Sequence, residues 1–163
     1  QDICFVPRGD YGAFIRRYTG RAFAGGEIVN TRGEQLGAHS GIIDFTIGQR
    51  KGIGIASARP LYVSRIDAAA RRVVVGGEDE LYHRRVLVRD INLIAYEYIA
   101  HPLEATAKHR YRTPDAAATV TQLDNDTLEV VFNEPQKAMA HGQALVVYKD
   151  DLVVGGGTIV EVE

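Results

Sequence analysis

Apolar residues recur with helical spacing close to the start of the chain. Four of them fall at i, i+3, i+4 and i+7 and share one face of a helix: Tyr11, Phe14, Ile15 and Tyr18. Asp10 precedes this stripe, where an aspartate side chain can accept hydrogen bonds from the first free backbone N–H groups. Gly20 follows it as a stop signal. The pattern predicts one short α-helix between Asp10 and Gly20.

The pattern then changes to the alternation of apolar and polar residues that is typical of β-strands. Two pairs of such segments enclose turn residues and predict two hairpins: 27–29 with 35–37, and 61–66 with 72–75. Between the hairpins, residues 42–46 have the composition of a further strand. They lead into a loop, 48–54, that is punctuated by glycines.

The second half of the chain is a series of strand-like segments separated by Gly, Asp and Asn. The predicted strands are 85–93, 105–112, 117–122, 127–132, 144–148 and 153–162. This spacing, with a clear turn at 123–127, is typical of a small antiparallel barrel. Three consecutive glycines at 155–157 would permit a bulge in the last strand.

The predicted fold class is therefore mainly β. A polar break at residues 76–80 separates two regions of the chain. Residues 1–80 are predicted to form a small central β domain with one short helix, and residues 81–163 a C-terminal antiparallel β-barrel. A chain of 163 residues is long enough for two domains of this size.

Composition excludes a disordered tail and a membrane protein. Hydrophobic residues make up 45% of the chain and charged residues 25%, as in ordinary globular proteins. No apolar run approaches the roughly 18 residues of a membrane span, and no signal peptide is visible. Cys4 is the single cysteine, so an internal disulfide is excluded, and a cytoplasmic location is predicted.

Charge is distributed unevenly along the chain. Residues 1–113 carry 17 Lys and Arg against 12 Asp and Glu, whereas residues 114–163 carry 2 against 9. The cationic excess of the first part is compatible with nucleic-acid binding, and also with an ordinary solvated surface. The five histidines are scattered without metal-ligand spacing, so no metal site is predicted.

The chemistry of Cys4 is open on the residues alone. A lone cysteine between Ile3 and Phe5 is commonly a small, buried apolar side chain. The alternative is a sulfur nucleophile, whose pKa would be lowered by a helix N-terminus or by a cation such as Arg8. No histidine has protease-like spacing with this cysteine.

The loop 48–54 is a candidate for contact with phosphate groups. It places Arg50 and Lys51 between glycines, a geometry suited to a nucleic-acid backbone. Its sequence, GQRKGIG, does not match a Walker loop. A plain basic turn is the alternative.

A second basic segment, KHRYR, begins at Lys108. Strand alternation would place Lys108, Arg110 and Arg112 on one face. His109 and Tyr111 would lie on the other face. A row of cations with a nearby aromatic ring suits contact with RNA. A charged edge strand that discourages aggregation is the alternative.

The segments that contain Cys4, the loop 48–54 and KHRYR occur along the chain together with several other distinctive segments. They are QDICFVPRGDYGAFI, GEIVNTRGEQLGAHSGI, TIGQRKGIGI, PLYVSRIDA, KHRYR, EVVFNEP, HGQALVVY and GGGTIVE. Together they resemble one family closely, the bacterial tRNA-specific 2-thiouridylases. The resemblance extends over essentially the whole chain, and its DICF and TIGQRKG blocks are specific.

The resemblance implies the central and C-terminal domains of a longer enzyme, without its N-terminal ATP-pyrophosphatase domain; the first residue, Gln1, also suggests a cut chain. The full-length enzyme would use ATP, with Mg, to adenylate the wobble uridine of tRNA at its C2 oxygen, and would then install sulfur there. Cys4 would receive sulfur from a relay protein and carry it as a persulfide. A second cysteine, in the absent domain, would help to release it.

By the same resemblance, Arg110, Tyr111 and Gln143 would contact tRNA. The chain alone is expected to bind no cofactor and to be inactive. It departs from the family at residues 141–143, where His-Gly-Gln replaces the usual Pro-Gly-Gln. Losing proline frees a backbone dihedral and restores an N–H group, so the loop with Gln143 is affected.

Two alternatives remain open. Gln143 could merely cap a turn between two barrel strands, without touching RNA. The whole chain could be an autonomous RNA-binding β-barrel module in which Cys4 is structural.

Overall fold

The computed structural model describes residues 11–163, which form two compact units. The first unit ends at Leu81, and the second runs from Tyr82 to Glu163. The predictions for Cys4 and for a helix cap at Asp10 concern residues outside the described part of the chain. No helix among the described residues is long and apolar enough to cross a membrane.

The predicted helix is confirmed. α1 spans Tyr11–Thr19, and the rings of Phe14 and Tyr18, one turn apart, stack with their centroids 5.8 Å apart. The helix ends at Thr19 and is followed by Gly20, which has a φ of +62°. The N–H of Gly20 donates to the carbonyl of Arg16 over 3.0 Å, and so satisfies a carbonyl at the helix end.

A four-stranded sheet forms the core of the first unit. Its strands are β1 (Gly26–Asn30), β2 (Gln35–His39), β3 (Tyr62–Asp67) and β4 (Arg72–Gly76), in the spatial order β2-β1-β4-β3. The two predicted hairpins are confirmed as the antiparallel pairs β1–β2 and β3–β4. Strands β1 and β4 run parallel, a pairing that the local pattern did not predict. The buried core residues are Ile28, Ile53, Val63, Val73 and Val75.

The predicted strand at 42–46 is wrong, because its first three residues form one turn of 3-10 helix. In such a turn, side chains three residues apart lie on the same side. Ile42 and Phe45 both pack against the core of the first unit. Asp44 forms an ion pair with Arg16 of α1, with 2.6 Å between Oδ2 and Nη2. The segment therefore buries its apolar residues with a helical spacing.

The second unit is a closed barrel of six antiparallel strands. They are β5 (Tyr82–Leu93), β6 (Leu103–Lys108), β7 (Ala116–Gln122), β8 (Leu128–Lys137), β9 (Ala144–Lys149) and β10 (Leu152–Val162). Around the barrel the order is β10-β5-β8-β7-β6-β9, closing on β10. Leu128, Phe132, Leu145 and Ile159 fill its interior. The predicted fold class, mainly β with one short helix and an antiparallel barrel, is confirmed.

Several strand limits differ from the prediction. β5 begins at Tyr82 and β8 extends to Lys137, so both strands are longer than predicted. β6 ends at Lys108 instead of residue 112. The register of β10 against β5 shifts between Gly156 and Thr158, which confirms an irregularity at the three glycines.

Candidate nucleic-acid interface

The pairing of β6 with β9 brings two loops together at one end of the barrel. Lys108, the last residue of β6, lies opposite Val146 of β9. The loop after β6 is hydrogen-bonded to the segment that precedes β9. We refer to residues 108–113 and 138–143 together as the barrel rim.

The strand predicted at 105–112 is wrong beyond Lys108. Thr113 explains the stop, because its hydroxyl and its N–H both donate to the carbonyl of Arg110, over 3.0 and 3.3 Å. These local bonds close a turn and compete with a strand ladder. Pro114 follows and has no N–H for a ladder. The predicted row of three cations on one strand face does not form.

His109 is buried at the barrel rim, with only 7% of its surface exposed. Burial lowers the pKa of its imidazole, and the charge of Arg110 lowers it further, while a hydrogen bond with the side chain of Gln143 opposes the shift. His109 is therefore neutral near pH 7. Its Nδ1 atom is buried without a hydrogen-bond partner among residues 11–163.

Arg110 is anchored by the backbone of the neighbouring loop. Its Nη2 donates to the carbonyl oxygen of Ala138 over 2.6 Å. Ala138 is itself buried. A charged donor makes a stronger hydrogen bond than a neutral one, so the contact holds the guanidinium in place. Since a guanidinium has five N–H donors, others remain for an external acceptor.

Tyr111 extends from the barrel rim into solvent. It is 87% exposed, more than any other large hydrophobic residue in the described part of the chain. Arg112, next to it, is exposed too. An exposed ring beside cations can stack on an unpaired RNA base while the cations contact phosphates.

Lys108 shares its surroundings with a carboxylate. The hydroxyl of Thr106 lowers the pKa of Asp115, as do the aspartate's own N–H and, to a smaller extent, the charge of Lys108. Asp115 is therefore ionised at neutral pH and offsets part of the positive charge of Lys108. The net positive charge around Lys108 is therefore smaller than its ammonium group alone would give.

The side chain of Gln143 closes a turn. Its Oε1 accepts from the N–H of Ala140 over 3.2 Å, and Gly142 has a φ of +80°, which glycine adopts without strain. Gly142 N–H donates to the carbonyl of Ile159, and Ile159 N–H donates to the carbonyl of Gln143, each over 2.8 Å. These are the contacts of the turn-capping alternative. A contact of Gln143 with tRNA stays a prediction.

The other two predicted cations, Arg50 and Lys51, lie in a braced loop of the first unit. Gln49 accepts from the N–H of Thr46 over 3.0 Å and donates to the carbonyl of Lys51 over 2.9 Å. Both cationic side chains are exposed. Neither forms an ion pair with a carboxylate of residues 11–163.

The glycine-rich loop 48–54 is not built like the phosphate-binding loop of a nucleotide site. The loop 48–54 does not open a helix, so it lacks the helix N-terminus that commonly cradles phosphate groups behind a glycine-rich turn. Within residues 11–163, no three His, Asp or Glu side chains converge as a metal-binding group.

Comparison with known proteins identifies both units. A tRNA methyl transferase PRC-barrel domain matches residues 12–77, and an aminomethyltransferase beta-barrel domain matches residues 83–159. The chain is 45% identical over 159 residues to the tRNA-specific 2-thiouridylase MnmA of Acetivibrio thermocellus, which covers 98% of this chain and 44% of the relative. It is 43% identical over 161 residues to the protein of the same name from Natranaerobius thermophilus, covering 99% and 44%.

This chain belongs to the tRNA-specific 2-thiouridylase family. The resemblance found in the sequence is thereby confirmed. A third relative, the MnmA of Clostridium acetobutylicum, is 41% identical over 159 residues, covering 98% of this chain and 45% of the relative. The chain thus spans about half the length of the curated relatives it matches.

In this 2-thiouridylase family member, the barrel rim gathers most of the residues predicted to contact tRNA. They are Lys108, Arg110, Tyr111, Arg112 and Gln143. Arg50 and Lys51 belong to the first unit instead. Cys4 lies outside the described residues.

The prediction that His109 and Tyr111 lie on the same face is wrong, because His109 is buried whereas Tyr111 is exposed, and sequence reasoning missed the carbonyl of Ala138 altogether. Strand alternation gives no signal that separates His109 from Tyr111, because β6 ends at Lys108. For Ala138 no local signal exists, because Arg110 reaches it from a distant part of the chain.

Proposed function

We propose that this chain supplies the persulfide cysteine and a tRNA-holding surface of a tRNA-uridine 2-sulfurtransferase. The single observation that carries the proposal is the exposed ring of Tyr111 beside the anchored guanidinium of Arg110, in a member of the 2-thiouridylase family. The names of its relatives give tRNA as the molecule acted on.

At the barrel rim, each residue type has a distinct task. Arg110 contacts a phosphate with the N–H groups that Ala138 does not use, and Tyr111 stacks on an unpaired base. Arg112 and, more weakly, Lys108 add sequence-independent attraction. Gln143 shapes the turn and offers its amide group. Arg50 and Lys51 extend the phosphate contacts to the first unit.

Cys4 is proposed to carry the sulfur, which it receives from a sulfur-relay protein. The outer sulfur of its persulfide forms a bond to C2 of the adenylated uridine, and the C2–O bond breaks with release of AMP. A second thiolate then attacks the sulfur of Cys4, so that the S–S bond breaks. Sulfur stays on C2, and the two cysteines end as a disulfide.

Activation of the uridine requires ATP in this proposal, and the loop 48–54 does not open a helix as a phosphate-binding loop would. We therefore assign adenylation, together with the second cysteine, to the part of the relatives that this chain does not match. The chain alone is expected to bind tRNA without modifying it.

The binding part of the proposal is tested with Tyr111→Ala and an unmodified tRNA transcript. Loss of one stacked base should weaken binding by about 1–3 kcal/mol. Tyr98→Ala is the matched control, because Tyr98 is also exposed but lies in the connection between β5 and β6, at the other end of the barrel. Equal affinities for the wild type and Tyr111→Ala would contradict the proposal.

The cysteine is tested in a protein of the relatives' full length. Cys4→Ser should abolish 2-thiolation of the wobble uridine, read by mass spectrometry, while ATP-dependent adenylation of tRNA continues. Normal 2-thiouridine in this variant would end the persulfide role. If tRNA binding still depended on Tyr111, the chain would then be an RNA-binding barrel module with a structural cysteine.

A further inference from the structure

The first unit contains an open cleft of about 600 Å³, formed by the segment 50–61. Two arginines, Arg50 and Arg59, line it, and no aspartate or glutamate does. The walls are packed, because Ile53 is buried in the core and Ile55 packs against the same core. The cleft is thus a cationic surface feature supported by the sheet beneath it.

The backbone of the cleft offers hydrogen-bond donors. The N–H groups of Gly52 and of residues 54–58 donate to no acceptor in the described part of the chain, whereas the N–H of Ile53, a buried residue, belongs to the hydrogen-bonded turn at 51–52. Gly52 and Gly54 have φ of +77° and +78°, and turn conformations of this kind build the concave N–H sites that bind anions. A Cβ on Gly54 would meet no atom within 4 Å, so a ligand can approach the chain closely there.

The two guanidiniums of the cleft have no counter-charge among residues 11–163. Ion pairs of the described residues involve Arg16, Arg72, Arg84 and Arg85, whereas Arg50 and Arg59 form none. Guanidinium groups match phosphate oxygens with two parallel hydrogen bonds. An anion is therefore the ligand whose chemistry complements the cleft.

We propose that this cleft binds the phosphodiester backbone of RNA, as a second contact site on the first unit, with Arg59 as a phosphate ligand beside Arg50. The volume lies within the roughly 300–1,000 Å³ of ligand clefts, which is more than a single inorganic phosphate fills. The inference rests on the proposed function: the sequence predicted phosphate contact at Arg50, and the structure adds the cleft that extends to residue 61 and a second ligand, Arg59.

The first test is the salt dependence of binding to an unmodified tRNA transcript. Arg50→Gln and Arg59→Gln should each lower the slope of log K against log salt by about one unit, because each removes one phosphate contact. Arg32→Gln is the matched control: it removes one charge at an exposed turn of the same unit, outside the cleft. Arg59→Lys should keep most of the salt slope of the wild type, because a lysine retains the positive charge.

The second test monitors the cleft by NMR, using the ¹⁵N-labelled backbone amides of residues 52–58. Their signals should shift when an equimolar amount of the tRNA transcript is added. They should not shift with an equimolar amount of inorganic phosphate or AMP at the same ionic strength. The shifts should be lost in Arg59→Gln, and melting curves check that each variant is folded.

Three results would overturn the proposal in different ways. In the first, the amide signals do not shift with tRNA and neither substitution changes the salt slope, while tRNA binding still depends on Tyr111. This result would remove the cleft site and leave the proposed function standing. Shifts with phosphate or AMP, without any change of slope for tRNA, would make the cleft a site for free phosphate compounds. Absence of any tRNA binding would remove both proposals.

Discussion

The barrel rim and the loop 48–61 both present arginines to solvent, but they hold them in different ways. In the rim, Arg110 is fixed by a hydrogen bond to the carbonyl of Ala138 over 2.6 Å. In the loop, the guanidinium groups of Arg50 and Arg59 contact no acceptor in the described part of the chain, and only the backbone beneath them is braced, for example by the N–H of Arg59 donating to the hydroxyl of Ser57. The rim therefore provides a donor held by a hydrogen bond, whereas the loop provides guanidinium groups that no contact within residues 11–163 holds in place.

This difference has a thermodynamic consequence. An arginine that is ordered before binding loses less rotamer entropy when it meets a phosphate, and this favours affinity. An unanchored arginine acts mainly through its charge, so its contribution falls steeply as salt is added. The rim is suited to fixing a position on RNA, and the loop to general attraction.

The largest expected effect is a difference in stability between a substitution in the buried part of the rim and one in the loop. His109→Ala should lower the free energy of unfolding by about 2–3 kcal/mol, because it leaves a cavity and removes a hydrogen-bond partner of Gln143. Arg59→Ala should change it by less than about 0.5 kcal/mol, as for ordinary surface positions. Urea denaturation measures both. Equal effects would contradict the view that the rim is built on His109.

The next effect compares the two kinds of arginine. Arg110→Lys should lower the unfolding free energy by about 1 kcal/mol and weaken tRNA binding, because a lysine keeps the charge but not the planar fork that reaches Ala138. Arg59→Lys should leave stability unchanged and affinity nearly so. If the two substitutions behaved alike, anchoring of Arg110 would have no energetic role.

A further prediction concerns Gln143. Gln143→Ala should lower the melting temperature through the loss of the bond to Ala140, with a cost of about 1 kcal/mol. If Gln143 also contacts tRNA, affinity falls by a similar amount, and the salt slope stays constant because no charge is removed. A lower melting temperature with unchanged tRNA affinity would leave only the turn-capping role.

The smallest expected effect is a pH dependence confined to the rim. In the unfolded chain His109 takes up a proton near the ordinary histidine pKa of about 6.5, whereas in the folded barrel burial and then Arg110 keep the pKa lower. Between the two values the unfolded chain binds more protons, so stability should fall as the pH is lowered below about 6.5. His109→Gln should reduce this dependence, measured as melting temperature against pH. An unchanged dependence would assign it to other histidines.

Much of the fold could be predicted because its signals are local. Turn residues sit between the strands of each hairpin, and the stripe from Tyr11 to Tyr18 has helical spacing. The strand predicted at 42–46 failed because its apolar residues pack at a spacing of three. The extension of β6 to residue 112 failed because a turn closed by Thr113 replaced the ladder.

The candidate site was likewise predictable where its signals are local and unpredictable where they depend on distant residues. The residue types that suit RNA contact, from Lys108 to Arg112, could be read from one continuous segment, and so could Arg50 and Lys51. Which of these residues is anchored could not. That depends on Ala138 and Gln143, which approach the KHRYR segment only because β6 pairs with β9.

The sequence by itself determined the family, the mainly β fold, the local hairpins and the basic segments, because each is carried by neighbouring residues or by motifs in order. Only the tertiary structure decided that β1 and β4 run parallel, which strands of the barrel pair with each other, that His109 is buried and that Arg110 is held by a backbone carbonyl. The physical reason is the same in every case. These features depend on pairings between residues far apart in the chain, and their free energy comes from shared burial and hydrogen bonding that no single segment possesses.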